Sequence, residues 1–217
     1  GYNIKYIGVD ISKSMLDMAE KNLADIAIEK HFVETDIVSE NFKEEIKKLT
    51  EPDEKRVFAF IGGTLGNVNQ TNIADTLYNL LFKDDILWID VRIRPDDSVE
   101  HNIQLFNRYT DFLQNENKMK FYFHPLEKIG ISADSGAMNL MTTHEKSVGA
   151  LLFSFYFKFE EKVVIELQGE KVHFLPNEEI KLLKIRVYHP ETLINFFVEH
   201  EFNFIAKQIK NSRGEFF

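Results

Sequence analysis

Asp10 and Asp36 each close a short apolar run, and Gly62-Gly63-Thr64-Leu65-Gly66-Asn67 closes a third. A carboxylate at a strand end can accept hydrogen bonds from both hydroxyls of a ribose, a pair that few other surface groups present. Asp10 has the type and place for this. One run later, Asp36 can accept from an adenine amine while the backbone N–H of Ile37 meets a ring nitrogen. The same acids can equally cap turns or helices, because Asp commonly ends strands. Three glycines within 62–66 let backbone approach a ligand closely. A helix follows this turn, so its N–H groups and dipole favour an anion or carboxylate. A nucleotide-hydrolysing phosphate loop ends in Lys-Ser/Thr; here Asn67-Val68 follows, which excludes that chemistry.

Other residues carry weaker signals. His124 and Glu127 flank Pro125 after the alternating Phe121-Tyr122-Phe123 run, as an acid–base pair or as plain loop residues. No His-x-x-x-His spacing and no cysteine occurs, so a zinc site is not expected. Ser132, Ser135 and Ser147 lack a nucleophile-elbow pattern. Arg92 and Arg94 alternate, either to meet a substrate carboxylate or, the simpler expectation, as a solvated edge. Gly136-Ala137-Met138-Asn139 is small enough to be a mobile lid.

These residues need elements to hold them. Ile4–Val9, Ile28–Thr35, Val57–Ile61 and Ile86–Ile93 read as strands. Between them, Ser12–Ala24 (with Ser12 as cap), Phe42–Leu49 and Thr71–Phe82 read as helices. Strand–helix alternation with short joins predicts a parallel sheet with right-handed crossovers and ligands at the carboxyl ends of its strands. Asp10, Asp36, Gly62–Asn67 and Asp90 all fall at such ends. From Val99 to Leu113 a helical stripe follows, and Leu151 to Phe159 alternates with period two. Val163–Leu167, a Gln168-Gly169-Glu170 turn and Glu179–Val187 continue an antiparallel meander. His189-Pro190 opens a helix, and Phe202–Ile209 reads as a last strand.

The expected fold is therefore α/β: a Rossmann-like mixed sheet with helices on both faces and an appended antiparallel β/α segment covering the site. Residues 1–95 form the ligand-binding part, 96–177 the appended segment, and 178–217 the closing strand–helix–strand.

Composition narrows the partners. The 217 residues are 44% hydrophobic and 28% charged, which excludes disorder as the main state. A formal net charge of −9 argues against a nucleic-acid partner. No apolar run approaches the roughly 20 residues of a membrane span, and no signal architecture opens the chain. A cytoplasmic protein with a small-molecule substrate is the expectation. Twenty Phe and seven Tyr supply core area; the Phe-rich run around Phe153 is expected inside the monomer, with a homodimer face as the alternative.

Three segments carry a resemblance. Tyr6-Ile7-Gly8-Val9-Asp10-Ile11-Ser12, with Met15-Leu16 and Ala19, resembles the second strand and helix of class I methyltransferases that use S-adenosylmethionine (SAM). More specifically, Phe60–Asn67 resembles the Gly-Ser/Thr-hydrophobic-Gly-Asn segment of the histidine-specific methyltransferase family, and Ile185–Leu193, with Pro190-Glu191, is similar to its closing strand and helix. The resemblance spans most of the chain, loosely between 100 and 150. It implies SAM as cofactor, with Asp10 on the ribose, Asp36 and Ile37 on the adenine, and Gly62 along the methionine portion. Ile11, Gly63 and Thr64 complete the implied cofactor set, and Asn67 faces the methyl acceptor. The family's first glycine-rich loop falls before Gly1: either the chain is a fragment, or it is a truncated form, or the missing part comes from elsewhere. The family's histidine-recognising Glu and Ser fall near Leu183 and Ile185, and its Tyr near Phe106, none of which can make those bonds. The expected function is SAM-dependent methyl transfer to a small-molecule or amino-acid-like acceptor. The alternatives are a non-catalytic binding module and, more weakly, a Rossmann oxidoreductase whose Gly-x-Gly-x-x-Gly signature is missing.

Overall fold

Polar caps and strand-ending acids divide the first part of the chain into βα units. The computed structural model describes residues 4–94, 96 and 98–209, with Phe112 by its backbone only. It clusters into two compact units, one of Gly1–Ala59 and Val68–Trp88, the other of Phe60–Asn67 and Ile89–Phe217.

In the first unit, β1 (Lys5–Asp10) and β2 (Glu29–Glu34) pair in parallel, with Lys5 opposite Glu29 and Asp10 opposite Glu34. Between them lies α1 (Lys13–Asn22). Ser12 occupies its N-cap position without a side-chain cap bond; its hydroxyl pairs with Ser14 instead. The next helix, α2 (Glu40–Leu49), is capped as helices prefer, the Phe42 amide donating to Ser39 Oγ at 3.1 Å. β3 (Val57–Phe60) and β4 (Ile86–Ile89) flank α3 (Gln70–Tyr78), which Asn69 caps through the Asn72 amide. Bonds from Ile86 to the Arg56 carbonyl and from Asp90 to the Phe60 carbonyl keep one chain offset, so β3 and β4 are parallel. Phe42, Ile46 and Leu80 form the core here, with Ile7, Val9, Ile37 and Phe58 against them.

The second unit is built around β6 (Ala150–Phe159), which pairs antiparallel with β5 (Gly136–Glu145) on one side and β9 (Glu179–Tyr188) on the other. Phe153, Phe155, Phe157 and Phe159 are at most 2% exposed, so the burial expected for this run is found. Tyr109, from α4 (Val99–Leu113), packs on Phe153 and Phe155; Phe123 and Leu126, from α5 (Glu116–Lys128), pack with Phe157 and Phe159. The hairpin of β7 (Val163–Leu167) and β8 (Glu170–Phe174) turns on Gln168 and Gly169, both at positive φ, as a two-residue primed turn requires. α6 (Pro190–Glu199) opens with proline at its first position.

The α/β class stands: among the described residues the ladders group as β1–β2, β3–β4, β5–β6–β9 and β7–β8, and a parallel bridge joins Ile93 to Tyr188 of β9. Several other expectations are corrected. Phe121–Phe123 lies within α5, because Phe123 and Leu126 sit three apart and face the core while Phe121 is exposed. Gly136–Asn139 is the start of β5, not a lid; Gly136 pairs with Phe159, and a Cβ there would strike the Lys158 carbonyl. Phe202–Ile209 forms no strand. Arg94 is 0% exposed rather than on a solvated edge. It donates to Asn102 Oδ1 (3.2 Å) and the Gly149 carbonyl (3.3 Å), while Arg92 is exposed.

Candidate active site

Parallel register places the first pair of acids. Because Asp10 is opposite Glu34, Asp36 follows on the neighbouring strand at the same carboxyl edge. The Thr35 amide donates to the Asp10 carbonyl (3.1 Å), which fixes the two strand ends against each other. Asp10 Oδ1 accepts from the Ser12 amide (2.8 Å), and Asp36 Oδ1 accepts from the Val38 amide (3.1 Å). Each acid therefore makes an Asx turn with one oxygen, as the capping alternative anticipates. Neither Oδ2 has a hydrogen bond among the described residues; Asp36 is exposed and Asp10 half-buried. Ile11 is exposed beside Asp10, and Ile37 leans on the α2 core.

The glycine turn belongs to the second unit. Gly62 and Gly63 take φ of 71° and 81°, and a Cβ on either would meet nothing within 4 Å. These glycines are there for backbone conformation, and the space beside them is open. The Gly62 amide donates to Asp90 Oδ2 at 3.1 Å, so the turn already binds one carboxylate, as its exposed N–H groups predict. Thr64 Oγ1 donates to the Ile61 carbonyl (2.7 Å), and the Gly66 amide to the Gly63 carbonyl (2.8 Å). Leu65 is buried, while Asn67 is exposed at the end of a 3-10 turn, Thr64–Asn67.

The structure thus gathers Asp10, Ile11, Asp36 and Ile37 on one strand edge, and Gly62, Gly63, Thr64 and Asn67 on one turn. Three residues beside the turn escaped sequence reasoning. Arg186 and Tyr188 on β9 bond to turn carbonyls, and Glu145 on β5 holds Arg186. The available signal was polar residues at 184, 186 and 188 alternating with apolar ones along a strand. Leu183 and Ile185 belong to the core around Tyr109 and Phe153, while Phe106 is exposed on α4.

Other groups stand apart from this chemistry. His124 and Glu127 share an exposed turn of α5, 3.5 Å apart. Asp96 meets His101 at 2.8 Å; bonds from Ser98, then His101, hold its carboxyl well below the usual carboxylate range. A cavity of about 330 Å³ is lined by Ile93, Arg94, His101, Gln104, Leu105 and Arg108. No cluster of three metal-ligating side chains occurs among the described residues, and no described helix is long and apolar enough to cross a membrane.

Acids end adjacent parallel strands in the first unit, and in the second a glycine turn carries N–H groups suited to an anion. Residues 1–216 match the family described as histidine-specific methyltransferase, SAM-dependent, and the chain belongs to that family. It is a methyltransferase, and its cofactor is SAM. No curated protein matches it. Among solved structures it is similar to an S-adenosylmethionine-dependent methyltransferase from Clostridium acetobutylicum, at 11% identity over 97% of this chain and 77% of that one, with a TM-score of 0.42. It is also similar to Streptomyces venezuelae DesVI, at 13% identity, 97% and 72% coverage, and a TM-score of 0.36.

Proposed function

We propose that this chain transfers a methyl group to a small-molecule or amino-acid-like amine other than histidine. The observation that carries the site assignment is the uncommitted Oδ2 of Asp10 at the carboxyl edge of the β1–β2 pair. A charged acceptor in that place suits the two hydroxyls of a ribose. Asp36 and the Ile37 amide, on the next strand end, suit the adenine. The main chain of Gly62, Gly63 and Thr64 suits the methionine portion, and exposed Asn67 suits the acceptor. SAM supplies an electrophilic methyl on a sulfonium. The chain's part is alignment and exclusion of water, together with keeping the acceptor amine neutral. Against histidine stand Leu183 and Ile185, apolar core residues that offer an imidazole no hydrogen bond.

Calorimetric titration with SAM and with S-adenosylhomocysteine tests the site. A Kd below about 100 μM, or about −5.5 kcal/mol, is the expected result. Absence of heat with both ligands would overturn the assignment of these residues.

A further inference from the structure

The end of the glycine turn is gripped from a distant strand. A short 3-10 turn cannot satisfy its own last carbonyls. Two carbonyls of Thr64–Asn67 find side chains instead: Tyr188 Oη donates to Leu65 O at 3.4 Å, and Arg186 Nη1 donates to Gly66 O. Arg186 and Tyr188 are two apart on β9 and so stand on one face of the sheet.

Arg186 is itself fixed. Its Nε and Nη2 donate to the two oxygens of Glu145 at 2.6 and 3.0 Å, a fork-on-fork pair that sets direction as well as distance. The side chains are only 9% and 26% exposed. Glu145 reaches Arg186 across the central strand, where Ala150 pairs with Glu145 on one side and Tyr188 on the other. Burial works against the Arg186 cation, but the bond and charge of Glu145 outweigh it and raise its pKa. Lys184, two residues back on the same face, is held below the usual lysine range by burial, then by Arg186 and Lys181. Glu145 is the anion that lets this crowded cationic face hold its geometry.

We infer that Arg186, held by Glu145, is a positioning residue that sets the 62–67 turn in the shape that receives SAM. The inference rests on the proposed role of that turn along the cofactor. Arginine suits the task because one rigid guanidinium serves a carboxylate and a carbonyl at once, which a lysine ammonium cannot do with the same geometry.

The test uses the whole chain and two readouts: amide hydrogen exchange at residues 62–69, and S-adenosylhomocysteine affinity by calorimetry. In R186M the turn amides exchange faster while the β5–β6 ladder keeps its protection, and affinity falls by at least about tenfold, as expected when a charged hydrogen-bonding partner is lost. R186K restores part of both effects. E145Q, which preserves shape and removes the charge, falls between. Unchanged turn exchange in R186M and E145Q overturns the inference, as does wild-type affinity in R186M. A wild-type chain that binds no S-adenosylhomocysteine would instead sink the reading of the turn as cofactor-lining, a failure that the exchange data keep separate.

Discussion

At the scale of single residues, Asp10 does two things with two oxygens, and the two can be separated. Oδ1 holds the Ser12 amide, and Oδ2 is the proposed ribose acceptor. Asp10→Asn keeps a carbonyl oxygen for the Ser12 amide but removes the charge. S-adenosylhomocysteine affinity should fall by about 1.5–3 kcal/mol, or roughly tenfold to a hundredfold, with little change in melting temperature. Calorimetry beside a thermal melt checks this; unchanged affinity would remove the ribose role. Asp10, Asp36 and Gly62–Asn67 stand out in the sequence because each interrupts an apolar run within a few residues. Arg186 does not, because its partners Gly66 and Glu145 are 120 and 41 residues away. The register of β9 on β6 and of β6 on β5 brings Glu145 to Arg186, and Gly66 meets it from a turn outside that ladder.

Elements were legible where local chemistry decides them and illegible where pairing or packing decides. The Gln168-Gly169 hairpin and the Pro190 helix start both follow from backbone preference and both appear. Phe121–Phe123 alternates over too few residues to fix a period, and the Asn115 cap with inward Phe123 and Leu126 makes it helical, even with Pro125 inside. Phe202–Ile209 has strand-like residues and no ladder partner. Gly149 shows how tightly one join is set. It sits at φ 62°, its carbonyl accepts from the His189 amide at 2.7 Å, and a Cβ there would run into Thr192 at the start of α6. Gly149→Ala should destabilise the protein by about 1–3 kcal/mol, the cost of a left-handed non-glycine residue, with more if Thr192 cannot move. Urea unfolding measures it; a midpoint within error of wild type would show that the join is loose.

On the scale of the whole molecule, apolar cores are divided between the two units, and so are the buried charges. In the first unit Arg56 and Asp85 have side chains only 8% and 2% exposed. Arg56 Nε and Nη2 both donate to Asp85 Oδ2, and Nη2 also donates to the Leu80 carbonyl at 3.0 Å. The Phe82 amide donates to the same carboxylate oxygen (2.7 Å), and the guanidinium lies 4.3 Å from the Phe82 ring centroid. A single pair thus ties the end of α3 to the starts of β3 and β4. Removing one partner of a buried pair costs about 3–5 kcal/mol, because the other charge is left uncompensated. All of these partners lie within the first unit, so the cost should be local. In Asp85→Asn, amides of the β1–β2 ladder and of α2 and α3 should lose hydrogen-exchange protection, while the β5–β6–β9 ladder, with its own phenylalanine core, keeps its own. Equal loss in both sets of amides would show that the chain opens as one cooperative body and that its division into two cores has no energetic counterpart.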